Sequence, residues 1–568
     1  MSLMNVPERQ FDFRLPLLIT LLCFIFTYFF FGFYYVEYEG LNIGFISGSL
    51  TPGMPFRSVY FSGNLVISQF YSLLYENFPG IEWMSWLENL WMLLASVLSM
   101  QAISVLLPQK ISTARRIAIM VSMFVLVFAD HHIHLIYTRV AYLVCGASLV
   151  GLTIFFNDRG VIKKRWGWFL LFNLFFAIGT FIRNEAALAC FLLMIPFSLL
   201  FTERIKHTAM LFLFPLLVVG GQSLFLAIDI KTATNTEFYK QVEPDIEEQF
   251  IARGNMVPLA RMKTYRDTVM HQMGAQMLLS DPRVMTPVFL RSLILPENFI
   301  FTDARQWNRV AREQKAILLQ YWHLALVVIL LSAALLSQYS FRKQKTTWLF
   351  CAAFVVSYWA LTLVQTYVDK VNERSWVPYI GLFILCHLLL LVKNMRPDFS
   401  GRVHPLLVAC GILFLVHIYH LKKESVRLKE DLEMKQQQFE EIKKLASGRF
   451  LAINSSVLDY FFLSCKPFHP VDFSAFKKFY ITDGYIIPFF PYYKRYLENE
   501  CKCDIYSYPS FWNYLNTANS DVLIVSEEER MRVIKNYLRE IHGLDLSLRE
   551  VNVTGNTSYE WKTYLLNR

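Results

Sequence analysis

Residues 15–40 read LPLLITLLCFIFTYFFFGFYYVEYEG, an apolar run that is followed at once by aromatic residues and two glutamates. A membrane-spanning helix needs about 20 apolar residues, and this run is longer than the apolar part of a signal peptide and carries no cleavage-site pattern. It predicts a helix over about 15–36 that crosses a bilayer. Aromatic residues at the end of such a helix are typical of a membrane–water interface. The stretch therefore places the chain among the helical membrane proteins.

The composition agrees with this assignment. Of the 568 residues, 55% are apolar and 18% are charged, and the mean hydropathy is +0.35. Soluble chains are about 45–50% apolar and about 25% charged. These values exclude a disordered chain, a disulfide-dense scaffold and a simple soluble enzyme. The net charge of +10 lies largely in short loops between apolar runs. This distribution is typical of the cytoplasmic loops of a membrane protein and does not indicate a nucleic-acid-binding surface.

Ten further apolar runs have a length and composition that predict membrane spans, some of them short. The eleven predicted spans are about 15–36, 84–107, 113–129, 137–156, 166–182, 186–202, 208–228, 318–337, 346–365, 376–392 and 404–420.

The distribution of Lys and Arg predicts the orientation, because cytoplasmic loops carry more of them. With a cytoplasmic N-terminus, seventeen basic residues lie in inner segments and five in short outer loops. An odd number of spans then places residues 421–568 outside. Short loops favour a bacterial source, and thus the inner membrane with a periplasmic C-terminal region.

Three outer regions are long enough to carry structure of their own, so we divide the chain at residue 420. The loop 37–83 contains an amphipathic stretch over 58–77 that predicts a helix lying on the membrane. The loop 229–317 predicts helices around 241–253 and 258–280. The region 421–568 predicts a small α/β domain built from a charged helix Lys422–Ala446, a strand Asp521–Ser526, a helix Glu527–His542 and a strand Leu544–Val553.

Four groups of ionisable residues fall on the predicted outer side, each at the end of a span. Such groups are costly near a membrane and often functional, so we expect them to converge on one polar cavity. The alternative is that each is an ordinary loop end in contact with water. The groups are Glu37 and Glu39; Asp130, His131, His132, His134 and Arg139; Arg183 and Glu185; and Asp369, Lys370, Glu373 and Arg374.

The glutamates of the first outer loop form a Glu37-Tyr-Glu39 pair. In an extended loop, alternate side chains point to the same side. Two carboxylates placed in this way can hold a divalent cation such as Mg²⁺ or Mn²⁺, or one can act as a base while the other orients the reacting hydroxyl. The alternative is two loop glutamates that follow an aromatic interface belt.

The arginines of these groups suit an anionic headgroup, since a guanidinium binds two phosphate oxygens at once. Arg139, Arg183 and Arg374 are the candidates, and Lys370 lies close to the last of them in sequence. An arginine paired with a neighbouring acid, as Arg183 with Glu185, is the alternative. Since Arg139 has no nearby acid except Asp130, we expect it to be the freest of the three to bind a ligand.

The histidines 131, 132 and 134 are too closely spaced to hold one tetrahedral zinc without other ligands. We expect His131, His132 and His134 to bind sugar hydroxyls or phosphate together with acids from the same groups, which are Asp130 and Glu185. His417 and His420 are expected to be packing or interfacial residues.

Other motifs are few. Cys465 could pair with Cys501 or Cys503 in an oxidising compartment, although the sequence does not decide between them. The sequence contains no Walker loop, no dinucleotide turn and no H-E-x-x-H motif.

Over residues 1–420 the layout resembles the GT-C class of integral-membrane glycosyltransferases. The matching features are an acidic pair directly after span one, an amphipathic outer helix after it, a multi-span core and an outer C-terminal domain. The segment 179–188, GTFIRNEAAL, resembles the R-x-E helix start of many bacterial members. The usual first-loop pair of the class contains Asp, whereas this chain has Glu-Tyr-Glu.

The resemblance implies a GT-C-like helical fold and transfer of a sugar from a polyprenyl phosphate outside the cytoplasm. A first-loop carboxylate, preferably Glu39, would take the proton of the acceptor hydroxyl or hold a metal ion. Arg183, Arg139, Arg374 and Lys370 would hold the lipid phosphate. The reaction would be a direct displacement with inversion, and the acceptor would be a glycan, a lipid or a protein side chain.

Three alternatives stay open from the sequence. A ligase or polymerase of lipid-linked glycans would also use a large late outer loop such as 229–317. A transporter would use the same cavity without a base, but such proteins often show paired repeats, which we do not find in this sequence. A structural subunit of a membrane complex would use 421–568 for docking.

Overall fold

The structure is a computed structural model. The residues that it describes are 12–36, 43–44, 46–48, 65–108, 111–157, 159–202, 204–233, 257–275, 287–293, 304–337, 345–368, 373–393, 405–454, 457, 465–470, 476–482, 496–500, 502, 508–517, 521–551 and 561–566.

The chain is a multi-pass membrane protein. Within the described ranges, six helices are long and apolar enough to cross a bilayer, or seven when one sharply bent helix pair counts as a single span. Each of the eleven predicted spans lies largely within the helices of this region, but three of the apolar helices are shorter than a full span. The number of crossings therefore stays a prediction. The helices are α1 (Arg14–Phe30), α2 (Leu65–Asn77), α3 (Trp83–Leu106), α4 (Thr113–Met123), a π-helix (Phe124–Ala129), α5 (Asp130–Ile133), α6 (Tyr137–Phe155), α7 (Arg159–Lys164), α8 (Trp166–Ile182), α9 (Asn184–Thr202), α10 (Ile205–Ala233), α11 (Tyr265–Ala275), α12 (Pro287–Ser292), α13 (Ala304–Gln320), α14 (Trp322–Ser337), α15 (Lys345–Val368), α16 (Glu373–Lys393) and α17 (Pro405–Leu445).

Helix α6 is the centre of the membrane region, and all of its residues are buried. It packs against α3, α8, α9 and α16. Small residues let these helices approach closely, as is usual in membranes. A Cβ atom at Gly146 would come within 2.4 Å of Leu382, and one at Gly151 within 2.2 Å of Phe172. The glycines of α6 therefore set how closely its neighbours pack.

Two of the predicted spans differ from the observed helices. The third span does not end in an outer loop, because it continues through the π-helix into α5, and residues 130–138 are buried inside the bundle. The eighth span, predicted as continuous over 318–337, is interrupted at Tyr321, where α13 and α14 meet at an angle of 89°. Neither position carries Pro or Gly, the residues that usually mark such changes in a sequence.

The C-terminal region contains a five-stranded mixed sheet with its own apolar core. Helix α17 runs without a break from the last predicted span to residue 445, so the predicted charged helix over Lys422–Ala446 is its second half. The predicted strand and helix at 521–542 are observed as β5 (Val522–Glu527) and α19 (Glu528–His542). The elements are β3 (Phe450–Ile453), β4 (Lys478–Ile481), α18 (Tyr508–Thr517), β5 (Val522–Glu527), α19 (Glu528–His542), β6 (Leu548–Val551) and β7 (Trp561–Leu566), with the strand order β4-β3-β5-β7-β6.

Part of the large loop 229–317 belongs to this second core. Helix α11 packs on α19, and Val269 and Met273 of α11 are completely buried there. The predicted helix over 258–280 is observed as a short 3-10 turn followed by α11, whereas 241–253 lies outside the described residues. The contact requires both segments to lie on the same side of the membrane, as the charge count predicts.

Other long-range contacts also join segments that are predicted to lie on the same side of the membrane. The amine of Lys422 donates to the carbonyl of Phe30 at 3.0 Å, which joins α17 to the predicted outer end of α1. At the opposite end of the bundle, Lys393 donates to the carbonyl of Phe201 at 2.7 Å. Each pair joins segments that the charge count assigns to the same side. Which side is cytoplasmic stays a prediction from the basic residues.

Cys465 is a free thiol, and burial raises its pKa to about 12. The two cysteines proposed as its partners, Cys501 and Cys503, lie outside the described residues.

Candidate functional site

The first feature of the site is a two-stranded parallel sheet that joins the beginning of the first outer loop to the histidine segment. Helix α1 ends at Phe30, and Gly32, just beyond it, has the left-handed φ of 81° that glycine adopts readily after a helix end. The chain then extends through β1 (Tyr34–Tyr35), which pairs with β2 (His134–Leu135). Beyond the pair, the N–H of Val36 donates to the carbonyl of Leu135 at 3.3 Å.

Glu37 and Glu39, the predicted catalytic or metal-binding pair, lie outside the described residues. Val36 is the last described residue before them. The position at which the chain enters the acidic loop is therefore fixed beside β2, although the carboxylates themselves are not described.

A buried ionic cluster surrounds β2. Asp130 Oδ2 lies 2.5 Å from Arg139 Nη1, and Asp130 Oδ1 lies 3.1 Å from His134 Nδ1. All three side chains are at most 4% exposed. A charge buried in this way needs a partner, and removal of either partner leaves the other one uncompensated. The expectation that Arg139 is the freest arginine is therefore wrong, because Asp130 occupies its guanidinium.

The other two histidines face different neighbours. His132 Nδ1 lies 3.0 Å from Asn89 Oδ1, and its ring stacks between Phe33 and Phe124, with 5.7 Å between ring centroids in each case. His131 lies against α16, where its Nε2 is 3.7 Å from the position that a Cβ of Gly381 would take. Because the histidines diverge, they do not form one set of ligands. Among the described residues, no group of three or more His, Cys, Asp or Glu side chains could hold a metal ion.

Arg183, from the third predicted group, contacts the residues that directly precede Arg139. It has an extended backbone between α8 and α9. Its Nη1 donates to Tyr137 Oη at 3.1 Å and to Thr138 Oγ1 at 2.9 Å, and its Nε lies 3.5 Å from a carboxylate oxygen of Glu185. The Arg183 side chain is 18% exposed and that of Glu185 is 70% exposed. Arg183 is thus more accessible than Arg139, and it contacts the two residues that precede Arg139 in the chain.

The fourth group is described only in part. Lys370 and Asp369 lie outside the described residues, and Arg374 is half-buried in the first turn of α16. Helix α16 packs against α6, with the rings of Tyr379 and Tyr142 6.3 Å apart. Helix α16 therefore packs on the same central helix whose first turn contains Arg139.

Glu82, which the sequence did not single out, is completely buried and connects β1, α2 and the beginning of α3. Its carboxylate accepts hydrogen bonds from Tyr35 Oη and Tyr75 Oη, both at 2.5 Å, and from the backbone N–H of Ser85 at 2.9 Å. Burial and the neighbouring carboxylate raise the pKa of the Tyr75 phenol well above its usual value. The sequence signal for this role is a polar N-cap position directly before an apolar helix, α3.

A second missed feature lies at the bend between α13 and α14. His323 Nε2 lies 2.9 Å from His417 Nδ1, and His417 Nε2 lies 3.2 Å from the carbonyl oxygen of Val125 in the π-helix. A carbonyl only accepts, so His417 carries its proton on Nε2 and accepts at Nδ1 from His323. The sequence predicts a packing or interfacial role for His417. The side chain is buried, and it also connects α17 to the segment that leads into Asp130.

Comparison of the sequence with protein-family models and with curated proteins finds no match. Among solved structures, the chain is similar to ArnT from Cupriavidus metallidurans bound to undecaprenyl phosphate, with 10% identity, a TM-score of 0.46 and 97% of each chain covered. It is also similar to ArnT from the same organism in the apo state, with 12% identity, a TM-score of 0.38 and 97% of each chain covered.

Proposed function

We propose that this chain is a GT-C-type membrane glycosyltransferase that moves a sugar or glycan from a polyprenyl-phosphate donor to an acceptor hydroxyl. The reaction would take place at the periplasmic side of the inner membrane. The observation that carries the proposal is the pairing of β1 with β2. It holds the entry of the acidic first loop beside the Asp130–Arg139 cluster, close to the place where Arg183 contacts Tyr137 and Thr138. A base and a phosphate-binding cation are the two groups that such a transfer needs.

The proposed chemistry is a single displacement. Glu39 takes the proton of the acceptor hydroxyl, whose oxygen forms a bond to the anomeric carbon of the donor sugar. The bond from that carbon to the phosphate oxygen breaks, and the electron pair leaves with polyprenyl phosphate. The anomeric configuration is thereby inverted. Glu37 orients the acceptor or shares a divalent cation with Glu39.

We assign the leaving phosphate to Arg183, because its guanidinium is the better exposed of the two arginines with described contacts at this turn. Arg374, in the first turn of α16, and Lys370, which precedes that helix in the sequence, would bind the same phosphate. Arg139 would act indirectly, since its pairing with Asp130 fixes the turn whose Tyr137 and Thr138 hold Arg183.

The remaining predicted residues divide by exposure. Glu185 is exposed and is the best candidate for contact with the acceptor or the sugar. Four of them are buried, and we propose that they stabilise the site without contacting the substrate; these are Asp130, His131, His132 and His134.

A divalent cation would have to be held by Glu37 and Glu39. Asp130, the buried acid next to β2, is committed to Arg139 and His134 and is therefore a poor third ligand. If the first-loop pair binds Mg²⁺ or Mn²⁺, chelation abolishes turnover and either ion restores it. If Glu39 is a base alone, chelation has no effect on the rate.

The experiment incubates the purified protein in nanodiscs with a panel of polyprenyl-phosphate sugars, and it measures donor binding and polyprenyl phosphate release in parallel. Release that requires an added acceptor supports the proposal. Saturable binding without release from any donor contradicts it. The bend between α13 and α14 makes a transporter the second candidate, because transporters bind substrates at interrupted helices. In that case donor would cross the bilayer of a proteoliposome intact.

A further inference from the structure

Phe468, in the C-terminal region, has a backbone conformation that its residue type disfavours. Its φ is 69°, and among the described non-glycine residues Lys502 is the other one with a positive φ. A bulky side chain in this left-handed region is strained, and such strain persists only where surrounding contacts hold it.

The conformation brings both the backbone and the ring of Phe468 against the membrane region. Its N–H donates to Ser85 Oγ at 2.8 Å. Its ring centroid lies 4.8 Å from that of Trp86, 6.0 Å from Tyr28 and 6.1 Å from Phe33. One residue of the C-terminal region thus contacts both the end of α1 and the beginning of α3.

Two short chains of contacts lead from Phe468 to the entry of the first loop. Ser85 also hydrogen-bonds Glu82, which accepts from Tyr35 of β1. Phe33 directly precedes β1, and its ring stacks on His132. Both chains therefore end at the strand that pairs with β2, immediately before the acidic loop.

We propose that Phe468 is a positioning residue, through which the C-terminal region holds β1 in place and thereby sets the geometry of the acidic loop. The inference rests on the proposed function. Its structural part, that Phe468 holds β1 in place, can be tested without enzymatic activity. The strained turn at 468 is stabilised by these contacts, which lead to β1, the last described segment before the acidic loop.

The test compares Phe468→Ala and Phe468→Tyr with the control His469→Ala. His469 lies in the same turn, its side chain is exposed, and it contacts the backbone carbonyl of the nearby Pro467. The measurements are kcat and the donor KM, together with hydrogen exchange of the backbone amides over residues 33–36. We expect Phe468→Ala to lower kcat about 10- to 100-fold with little change in KM, because a small misplacement of a reacting group is costly. Exchange over 33–36 should rise in Phe468→Ala, and both quantities should recover in Phe468→Tyr.

If Phe468→Ala does not fold, Phe468→Gly carries the test, since glycine accepts the left-handed backbone and also removes the ring. Exchange over 33–36 and kcat equal to wild type in a folded ring-deleted variant would overturn the proposal. If the wild type itself transfers no sugar, the proposed function fails, and the exchange measurement still decides whether Phe468 holds β1.

Discussion

Tyr34 and His134 are register partners in a two-stranded parallel sheet that links the first outer loop to the buried histidine segment. The pairing is short, and the N–H of Val36 extends it by a hydrogen bond to Leu135. It brings the entry of the acidic loop next to the buried histidine segment, although the two are distant in sequence. The acidic loop begins at this pair, and the cluster of Asp130, His134 and Arg139 surrounds it.

The buried pair of Asp130 and Arg139 should be essential for stability. Asp130→Asn keeps the shape of the side chain but leaves the guanidinium without a counter-charge, so we expect the free energy of unfolding to fall by about 3–5 kcal/mol. Thermal unfolding in detergent measures the loss. The double variant Asp130→Asn/Arg139→Met should recover much of it, because no buried charge is then left.

The matched control is an exposed ion pair on α17. Lys429 Nζ lies 3.8 Å from a carboxylate oxygen of Glu433, and both side chains are more than 60% exposed. Lys429→Met should cost less than about 1 kcal/mol, as exposed pairs do. Equal losses for Asp130→Asn and Lys429→Met would show that the buried cluster has no special role.

Tyr75 should make the protein sensitive to alkaline pH. Its folded-state pKa lies well above the ordinary value of 10.0, so above about pH 10 the unfolded chain loses a proton that the folded chain keeps. The free energy of unfolding therefore falls as the pH rises through this window, and Tyr75 contributes no slope below it. Tyr75→Phe should make the fall shallower by about 1.4 kcal/mol per pH unit.

Denaturant unfolding of wild type and Tyr75→Phe at several pH values from 7 to 11 measures this effect. The difference at pH 7 gives the cost of the lost hydrogen bond to Glu82, and the change in that difference above pH 10 gives the ionisation effect. Parallel curves for the two proteins at all pH values would rule out the raised pKa.

Arg183 should act on the donor phosphate. Arg183→Ala is expected to raise the donor KM or lower kcat/KM by about 10- to 100-fold, since hydrogen bonds to charged groups are worth about 1.5–3 kcal/mol. Arg183→Lys should recover only part of the loss, because an ammonium lacks the planar fork. Arg204→Ala, an exposed arginine at the opposite end of the bundle, is the control. The assignment is wrong if Arg183→Ala and Arg204→Ala have the same kinetics.

His417 should stabilise the π-helix that precedes Asp130. His417→Phe keeps most of the volume but leaves His323 and the carbonyl of Val125 without their partner. We expect a loss of about 1–3 kcal/mol in the free energy of unfolding. Tyr419→Phe, at a position that is 72% exposed on the same helix, serves as the control. An unchanged melting temperature for His417→Phe would mean that these hydrogen bonds add nothing.

The sequence predicted those parts of the fold that depend on long periodic or apolar segments. Each predicted span lies largely in a helix, and β5 and α19 were found because a buried apolar run precedes an amphipathic one. The charge count predicted the side of the membrane for each segment, and the contact of α11 with α19 is consistent with it. Each of these patterns extends over many residues, so one residue that departs from the pattern does not change the prediction.

The site itself could be predicted only in part. The sequence singled out Asp130, Arg139 and Arg183 as candidates, but it did not predict that Asp130 pairs with Arg139, because the single turn of α5 and the short β2 leave no periodic pattern between them. Two residues of strand are too few to predict β1. For Glu82 the sequence offered only its position directly before an apolar helix. The conformation of Phe468 and the bend at Tyr321 depend on contacts between distant segments, which one sequence does not reveal.

The most direct test of the central claim is polyprenyl phosphate release by wild type and by Glu39→Gln, measured side by side with Glu76→Gln. Glu76 is an exposed glutamate on α2 of the same outer loop and serves as the matched control. We predict that wild type and Glu76→Gln release polyprenyl phosphate at similar rates, and that Glu39→Gln is about 100-fold slower or more. Wild-type release by Glu39→Gln would contradict the assignment of the base, and no release by wild type from any donor would contradict the account as a whole.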